Sequence, residues 1–404
     1  MSERRYYGLD ALRGVMMMLG IVLHGANLYL AAPPPAFPFP TDRNHSIVFD
    51  LVFHLIHAFR MPTFFVLAGF FAALLVEKRG LAATWKNRAA RILAPLLLAC
   101  VTILPLTLLF MADFVIAARY GAHSVLPERA LLARFRAELA AAGFPVGEPT
   151  AMHLWFLVYL CYFYVLLPAC AWLARACGRW RDATAGFLAS PHAVAVFGLW
   201  TAMTLWPFRG GQVLEGFVFF RPHLPSLAYY GSFFVLGYLL RGFPEVLVAF
   251  ARRVGLYAAF SAALFPLALY ASHLDNAARG AHAPLHLGAV LANGFCTWSL
   301  AALFIGCAMR FFDRDAPWIL YASQSSYWVY LVHMPLVMLA GWWMLRYDLP
   351  AEVKFLCVAA FTAVLCFVSY HHGVQRTWIG RLLHGRRFDQ DWPWRERPAQ
   401  CGVR

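Results

Sequence analysis

The sequence predicts an all-α, polytopic membrane protein of about ten transmembrane helices with both termini on the inner side. Two observations carry this expectation. Of 404 residues, 61% are hydrophobic and only 13% charged, and apolar runs long enough to cross a bilayer recur along the chain. Soluble domains run nearer ~45–50% apolar with about a quarter charged, and so apolar a chain has no shortage of surface to bury, which excludes disorder. A net charge of +14 on a soluble protein would point to nucleic acid. Here the apolar fraction assigns it to the loops of a membrane protein, and no nucleic-acid partner is expected.

A spanning helix needs about 20 mainly apolar residues. The first such run, 9–31, is too long for a signal peptide, lacks a small-residue cleavage site and carries His24 within it. The second, 48–76, exceeds the required length, and Pro62 predicts a kink in it. The basic stretch 77–91 leads into the third, 90–112, and the long loop 113–151 separates that from the fourth, 152–173. Runs at 191–207 and 224–241 follow the basic segment 174–190, and runs at 254–271 and 285–308 follow the basic segment 241–253. After 309–317 come the last two, 318–345 and 352–374. Residues 1–375 therefore read as one transmembrane domain and 376–404 as a basic cytoplasmic tail. With the termini inside, the inner segments hold 23 of the 34 Lys and Arg, against 11 spread over longer outer loops. That bias sets the N-in, C-in orientation.

The nine cysteines match neither a zinc site nor a redox CxxC and read as small core hydrophobes. No G-x-G-x-x-G, P-loop or G-x-S-x-G occurs, which argues against a nucleotide-driven pump and a hydrolase elbow. Neither a 20–50-residue repeat nor similarity between halves is evident.

Ionisable groups at membrane depth are functional candidates by default. In the first span Arg13, Met17, Gly20, His24 and Asn27 step by 4, 3, 4 and 3 and share one helical face. At 1.5 Å per residue, His24 lies about 16 Å above Arg13. Gly20 permits a close approach beneath His24. The plainer reading of His24 is a hydrogen bond to a neighbouring helix. In the second span His54, His57 and Arg60 form a basic stripe, expected near the outer end. The fourth span opens with His153 and Trp155, also at the outer surface. His, Arg and Trp suit sugar hydroxyls and sugar stacking; an interfacial aromatic and snorkelling belt is the structural alternative. Arg88 and Arg91, one turn apart at the inner start of the third span, make an anion site, or simply an ordinary basic loop. Tyr330 and His333 place polar groups deep in the ninth span, whereas His371 and His372 fall at the inner end of the tenth, where a solvated or lipid-facing role is expected. His54 and His57 are three apart but lack a third ligand, so no metal is expected.

Leu-Asp-x-x-Arg-Gly followed by His24, Phe-Arg-Met-Pro-x-Phe-Phe-x-x-x-Gly-Phe in 59–70, Arg88-x-x-Arg91 and Tyr-x-x-Tyr-Leu-x-His-x-Pro in 327–335 together resemble the acyltransferase-3 superfamily, over nearly the whole chain. His-Ala-Phe-Arg-Met, Met-His-Leu-Trp-Phe-Leu and Phe-Phe-Val-Leu-Gly are similar to its glucan-biosynthesis branch, associated with succinylation of osmoregulated periplasmic glucans. Ala68 stands where that family often has Ser, a position not suited to a nucleophile.

The resemblance implies an enzyme of the bacterial inner membrane, an O-acyltransferase moving an acyl group, succinyl in the first instance, from cytoplasmic acyl-CoA to a periplasmic glucan hydroxyl. Arg13, Arg88 and Arg91 would hold the CoA phosphates, and the pantetheine arm would run up the Gly20 face. His24 would act as general base, with Asn27 or His333 donating to the oxyanion. His57, Arg60, His153 and Trp155 would hold the glucan, one Arg alternatively meeting a succinyl carboxylate. Asp10 would orient Arg13 across one turn. Acetyl transfer to another cell-surface glycan, and a secondary transporter relaying protons through intramembrane His and Arg, are the alternatives. Acyl identity, the hydroxyl acylated, a covalent intermediate and a homo-oligomeric state stay open.

Overall fold

The computed structural model describes residues 5–34, 40–121, 128–141, 146–214, 219–278 and 280–388. Among these residues the chain is helical, with no strand beyond an isolated bridge between Thr150 and Phe219. The helices are α1 (Tyr7–Ala26), α2 (Ile47–Arg88), α3 (Ala94–Val101), α4 (Ile103–Tyr120), α5 (Arg129–Ala141), α6 (Trp155–Val165), α7 (Leu167–Arg179) and α8 (Arg181–Ala189). There follow α9 (Pro191–Leu205), α10 (Leu224–Leu240), α11 (Pro244–Arg252), α12 (Val254–Ala277), α13 (Ala283–Phe311), α14 (Pro317–Met344), α15 (Ala351–Ser369) and α16 (Trp378–His384).

Among the described residues six helical runs, 7–29, 47–101, 103–120, 254–277, 283–311 and 351–374, are long and apolar enough to cross a membrane, and up to nine if each bent pair counts as one span. The bent pairs are α6 with α7 (60°), α8 with α9 (80°) and α10 with α11 (105°). Of the runs expected to form the fourth, fifth and sixth spans, the fourth is bent within itself at Leu166, whereas the other two bends fall at the ends of the fifth and sixth. The run expected at 90–112 is divided: the π-helix Ala89–Leu93 and α3 continue the path of α2, and α4 starts after Thr102. In α2 the dihedrals stay helical through Pro62, and the departure falls at Gly80, with φ +76°. At 28 residues α14 is as long as the spanning runs, but its serines, tyrosines and His333 dilute its apolar character. It packs instead among α1, α4 and α15.

Helix α1 is the axis of the bundle, in contact with α2, α13, α14 and α15. Backbones touch where small residues allow it: a Cβ on Gly237 would stand 1.9 Å from the Val66 carbonyl oxygen, and one on Gly69 2.0 Å from that of Phe234. Close backbone approach replaces the hydrophobic drive that lipid cannot supply. Around this core, α9, α12 and α15 leave Leu199, Met203, Phe260, Leu267, Leu356 and Val364 exposed, a face suited to acyl chains. Exposed tryptophans ring both ends of the bundle. Trp85, Trp180, Trp318 and Trp378 stand at the proximal face, where α1 begins, and Trp206 and Trp343 at the distal face.

At the distal face Asp42 and Asn44, shortly before α2, are tied to the bundle by Lys354, whose Nζ lies 2.9 and 2.8 Å from the Asp42 carboxylate and 2.9 Å from Asn44 Oδ1. At the proximal face the segment expected to be a cytoplasmic tail folds back up to residue 388. Helix α16 packs on Ala89–Leu93 and α14, and the Phe388 N–H donates to the Gln375 carbonyl at 2.9 Å. Residues 389–404 lie outside the described residues. His371, expected to be solvated or lipid-facing, is buried against Tyr321, while His372 is exposed.

Candidate active site

The polar residues of α1 meet two cavities. The proximal one, about 370 Å³, is lined by Arg13, Arg79, Arg88, Arg91, Tyr327 and His384 among others, with no acidic side chain. Arg13 is held by its surroundings. Its Nη2 donates to Ser323 Oγ at 2.5 Å and lies 3.2 Å from Asp10 Oδ1, one helical turn away. Asp10 also takes Arg5 at 3.1 Å. Arg88 covers the ring of Tyr164, its carbon 5.6 Å from the centroid, and its Nε is buried without a partner among the described residues. Arg91 differs: Nη1 donates to the Arg381 carbonyl and, at 2.9 Å, to that of Leu382. These are terminal carbonyls of α16, which ends in Gly385 at φ +85°. A cation there complements the helix dipole, so part of Arg91 secures α16 rather than facing a ligand. His384 closes the same cavity. Burial, then Arg13, Arg91 and Arg386, pushes its imidazole down to about 4.

The distal cavity, about 290 Å³, gathers His24, Asn27, His57, Arg60, His153, Trp155 and Tyr230. These come from α1, α2, the start of α6 and α10, which the fold alone brings together. His57 packs on Phe53, ring centroids 4.7 Å apart. Trp155 packs on Tyr230 at 5.1 Å and Tyr159 at 5.4 Å. His54 is turned away toward Gln212, 3.2 Å from its Oε1. His153, expected at the outer surface, is buried. Its Nε2 donates to the Leu331 carbonyl at 2.9 Å, and its backbone oxygen accepts the Tyr330 hydroxyl at 2.7 Å. The preceding Met152 has φ +46°, the one non-glycine with positive φ among the described residues. Such strain persists only where surrounding contacts enforce it; here the Met152 N–H is held by Thr150 Oγ1 at 3.0 Å.

The two cavities share no lining residue. Along α1 the proximal one reaches Met17 and the distal one begins at Leu23, a gap of about 9 Å. Gly20 occupies the gap. A Cβ there would stand 2.7 Å from Arg60 Nη2 and 3.1 Å from His333 Nε2, so the groups that approach Gly20 are these two. Arg60, expected near the outer end of its helix, is buried at the α1–α2 contact, and its Nε donates to the Met16 carbonyl at 2.7 Å. No acidic residue pairs with it among the described residues. The ring of His333 is 5.3 Å from that of His24 and 5.6 Å from that of His153.

The tautomer of His333 follows from its partners. Nδ1 lies 2.8 and 3.1 Å from the Tyr330 and Val329 carbonyls, which only accept, so Nδ1 carries the hydrogen. In the neutral ring Nε2, buried and unpartnered, is then an acceptor. That is contrary to the expectation that His333 donates to an oxyanion. His24 Nδ1, His57 Nδ1, His153 Nδ1 and Asn27 Oδ1 are likewise buried without a protein partner among the described residues. No cluster of three or more His, Cys, Asp or Glu placed to hold a metal occurs among the described residues.

Sequence reasoning missed Tyr230, Arg79 and His384. Tyr230 sits in an aromatic run without polar periodicity, and His384 belongs to a segment whose composition matches an ordinary basic tail.

Among known proteins, a family described as acyltransferase domain, the acyltransferase-3 family, matches residues 6–371. Similar proteins include the glucans biosynthesis protein C of Escherichia coli K12, 24% identical over 400 residues, and that of E. coli O1:K1, 23% identical over 398 residues. In each case 95% of both chains is covered. No solved structure matches the chain significantly. A helical, multi-pass chain with a cationic cavity on one face, a histidine-rich cavity on the other and a family match spanning both belongs to the acyltransferase-3 family of membrane acyltransferases.

Proposed function

We propose that this protein is an inner-membrane O-acyltransferase that moves an acyl group, succinyl in the first instance, from cytoplasmic acyl-CoA to a hydroxyl of a periplasmic glucan. The observation that carries the reading is the approach of two chemically different cavities to one point on α1. A cavity whose charged lining residues are all cationic opens on one side of Gly20 and a histidine-lined cavity on the other. The relatives' name supports the glucan. The apolar runs of the sequence support ten spans, α14 included, and the loop-charge bias supports both termini in the cytoplasm. The proximal face is then cytoplasmic and the distal face periplasmic.

In this reading Arg13 and Arg88, with the remaining donors of Arg91, bind the CoA phosphates. The acyl-bearing end of the donor reaches Gly20 past Met17, about one helix turn short of His24. His57, His153 and Trp155 wall the acceptor subsite, where apolar surface with a few polar groups suits a sugar ring. His24 takes the proton of the attacking hydroxyl, a contribution of roughly 10²–10⁴-fold for a positioned base, and Asn27 at the C-terminal end of α1 orients the acceptor. The same proton is available to the departing CoA sulfur.

The test is transfer by purified protein from labelled succinyl-CoA to glucan, with mass spectrometry of periplasmic glucans from cells with and without the protein. Transfer that requires His24 and a succinyl mass increment on glucan are expected. Undiminished transfer by His24→Ala would overturn the base assignment, and identical glucan spectra would reject the acceptor. Uptake by reconstituted vesicles without a covalent product would identify a transporter instead.

A further inference from the structure

Arg60 is the least explained charge in the molecule. It is 6% exposed, has no acidic partner among the described residues, and uses Nε on the Met16 carbonyl. A buried, unpaired cation is expensive, and Arg60 lines the distal cavity, not the cationic proximal one, and finds no acidic partner there among the described residues. Its Nη2 stands over Gly20 beside His333 Nε2, in the gap between the two. The other candidate donor at this point is excluded, because His333 presents an acceptor there.

Resting on the acyltransferase reading above, we infer that Arg60 is a catalytic residue whose Nη2 holds the thioester carbonyl oxygen and the oxyanion that forms on it. The acceptor hydroxyl oxygen bonds to the carbonyl carbon while its proton passes to His24. The carbonyl electron pair moves onto oxygen, against the guanidinium. Collapse re-forms the carbonyl, breaks the C–S bond, and returns the proton from His24 to the CoA sulfur. Atoms and charge balance with no further reactant. A buried cation with Nε already anchored to α1 needs little reorganisation as this charge develops. Gly20 is the residue that leaves room for it.

The experiment compares wild type, Arg60→Gln and Arg60→Lys with acetyl-CoA and succinyl-CoA as donors and glucan as acceptor. It measures kcat, both KM values and the affinity for free CoA. Arg60→Gln is expected to lower kcat about 10²–10³-fold, the scale of losing one oxyanion donor. The loss is equal for both donors, with KM and CoA affinity within a few-fold. Arg60→Lys, which keeps the charge and the fold but not the geometry, recovers part of it. A loss confined to succinyl-CoA would make Arg60 a reader of the acyl carboxylate, and a loss confined to the glucan KM would make it an acceptor-binding residue. Either, or an unchanged kcat, overturns the inference. A wild type that binds CoA yet transfers neither acyl group would instead overturn the underlying reading.

Discussion

Replacing Gly20 by alanine adds one methyl group at the point where the two cavities approach. The new Cβ would stand 2.7 Å from Arg60 Nη2 and 3.1 Å from His333 Nε2, where ordinary contact begins at 3.4 Å. Arg60 must therefore retreat by about 0.7 Å, from 2.7 to 3.4 Å, and His333 by about 0.3 Å. Both contacts are side-chain tips, so the helix accepts the change. Alanine is also the better helix former, by about 1 kcal/mol. Stability is then expected to be unchanged or slightly raised, whereas a misplacement approaching 1 Å in a catalytic constellation costs up to about 10²-fold. We expect Gly20→Ala to lower kcat about 10- to 100-fold, equivalent to roughly 1.4–2.7 kcal/mol of barrier, with unchanged CoA affinity and thermal midpoint. In an Arg60→Gln background the added methyl should do little more, because the group it displaces is gone. A Gly20→Ala enzyme with kcat within threefold of wild type, or full additivity with Arg60→Gln, would refute the reasoning.

Lys354→Met should strand the buried Asp42 carboxylate and lose about 3–5 kcal/mol; Lys354→Met with Asp42→Leu should regain most of it in thermal unfolding of the solubilised protein. Gly237→Ala should lower the thermal midpoint far more than Gly20→Ala, because the clash is with the Val66 backbone oxygen at 1.9 Å and no side chain can yield. Folded His384 titrates near 4, below its ordinary 6.5, so the unfolded or undocked segment binds the proton more readily. The docking of α16 is therefore fully stable above about pH 6.5 and weakens as pH falls toward 4. Hydrogen exchange of 378–384 should show this loosening, and His384→Asn should remove its pH dependence.

Membrane class, helical content and the identity of most candidate side chains follow from the chain alone, because they depend on local quantities. Apolar run length decides what can sit in lipid, and the 4-3-4-3 spacing of Arg13, Met17, Gly20, His24 and Asn27 decides that they share one face. Depth along a single helix was legible for the same reason, which is why Arg13 and His24 line different cavities. What the chain could not reveal is what each group meets. The bends in the α6–α7, α8–α9 and α10–α11 pairs each precede a helix that opens on a proline, Pro168, Pro191 and Pro244, but hydropathy is blind to the direction the chain then takes. The docking of α16 through Arg91 depends on residues 290 positions apart. Arg60 looked like part of a rim stripe by its spacing from His57, yet only the α1–α2 contact sets it over Gly20. His333 became an acceptor because two carbonyls of its own helix claim Nδ1. The sequence by itself determined which polar groups enter the membrane. The tertiary structure alone decided which of them face one another, since hydrogen-bond partners and close contacts are set across helices.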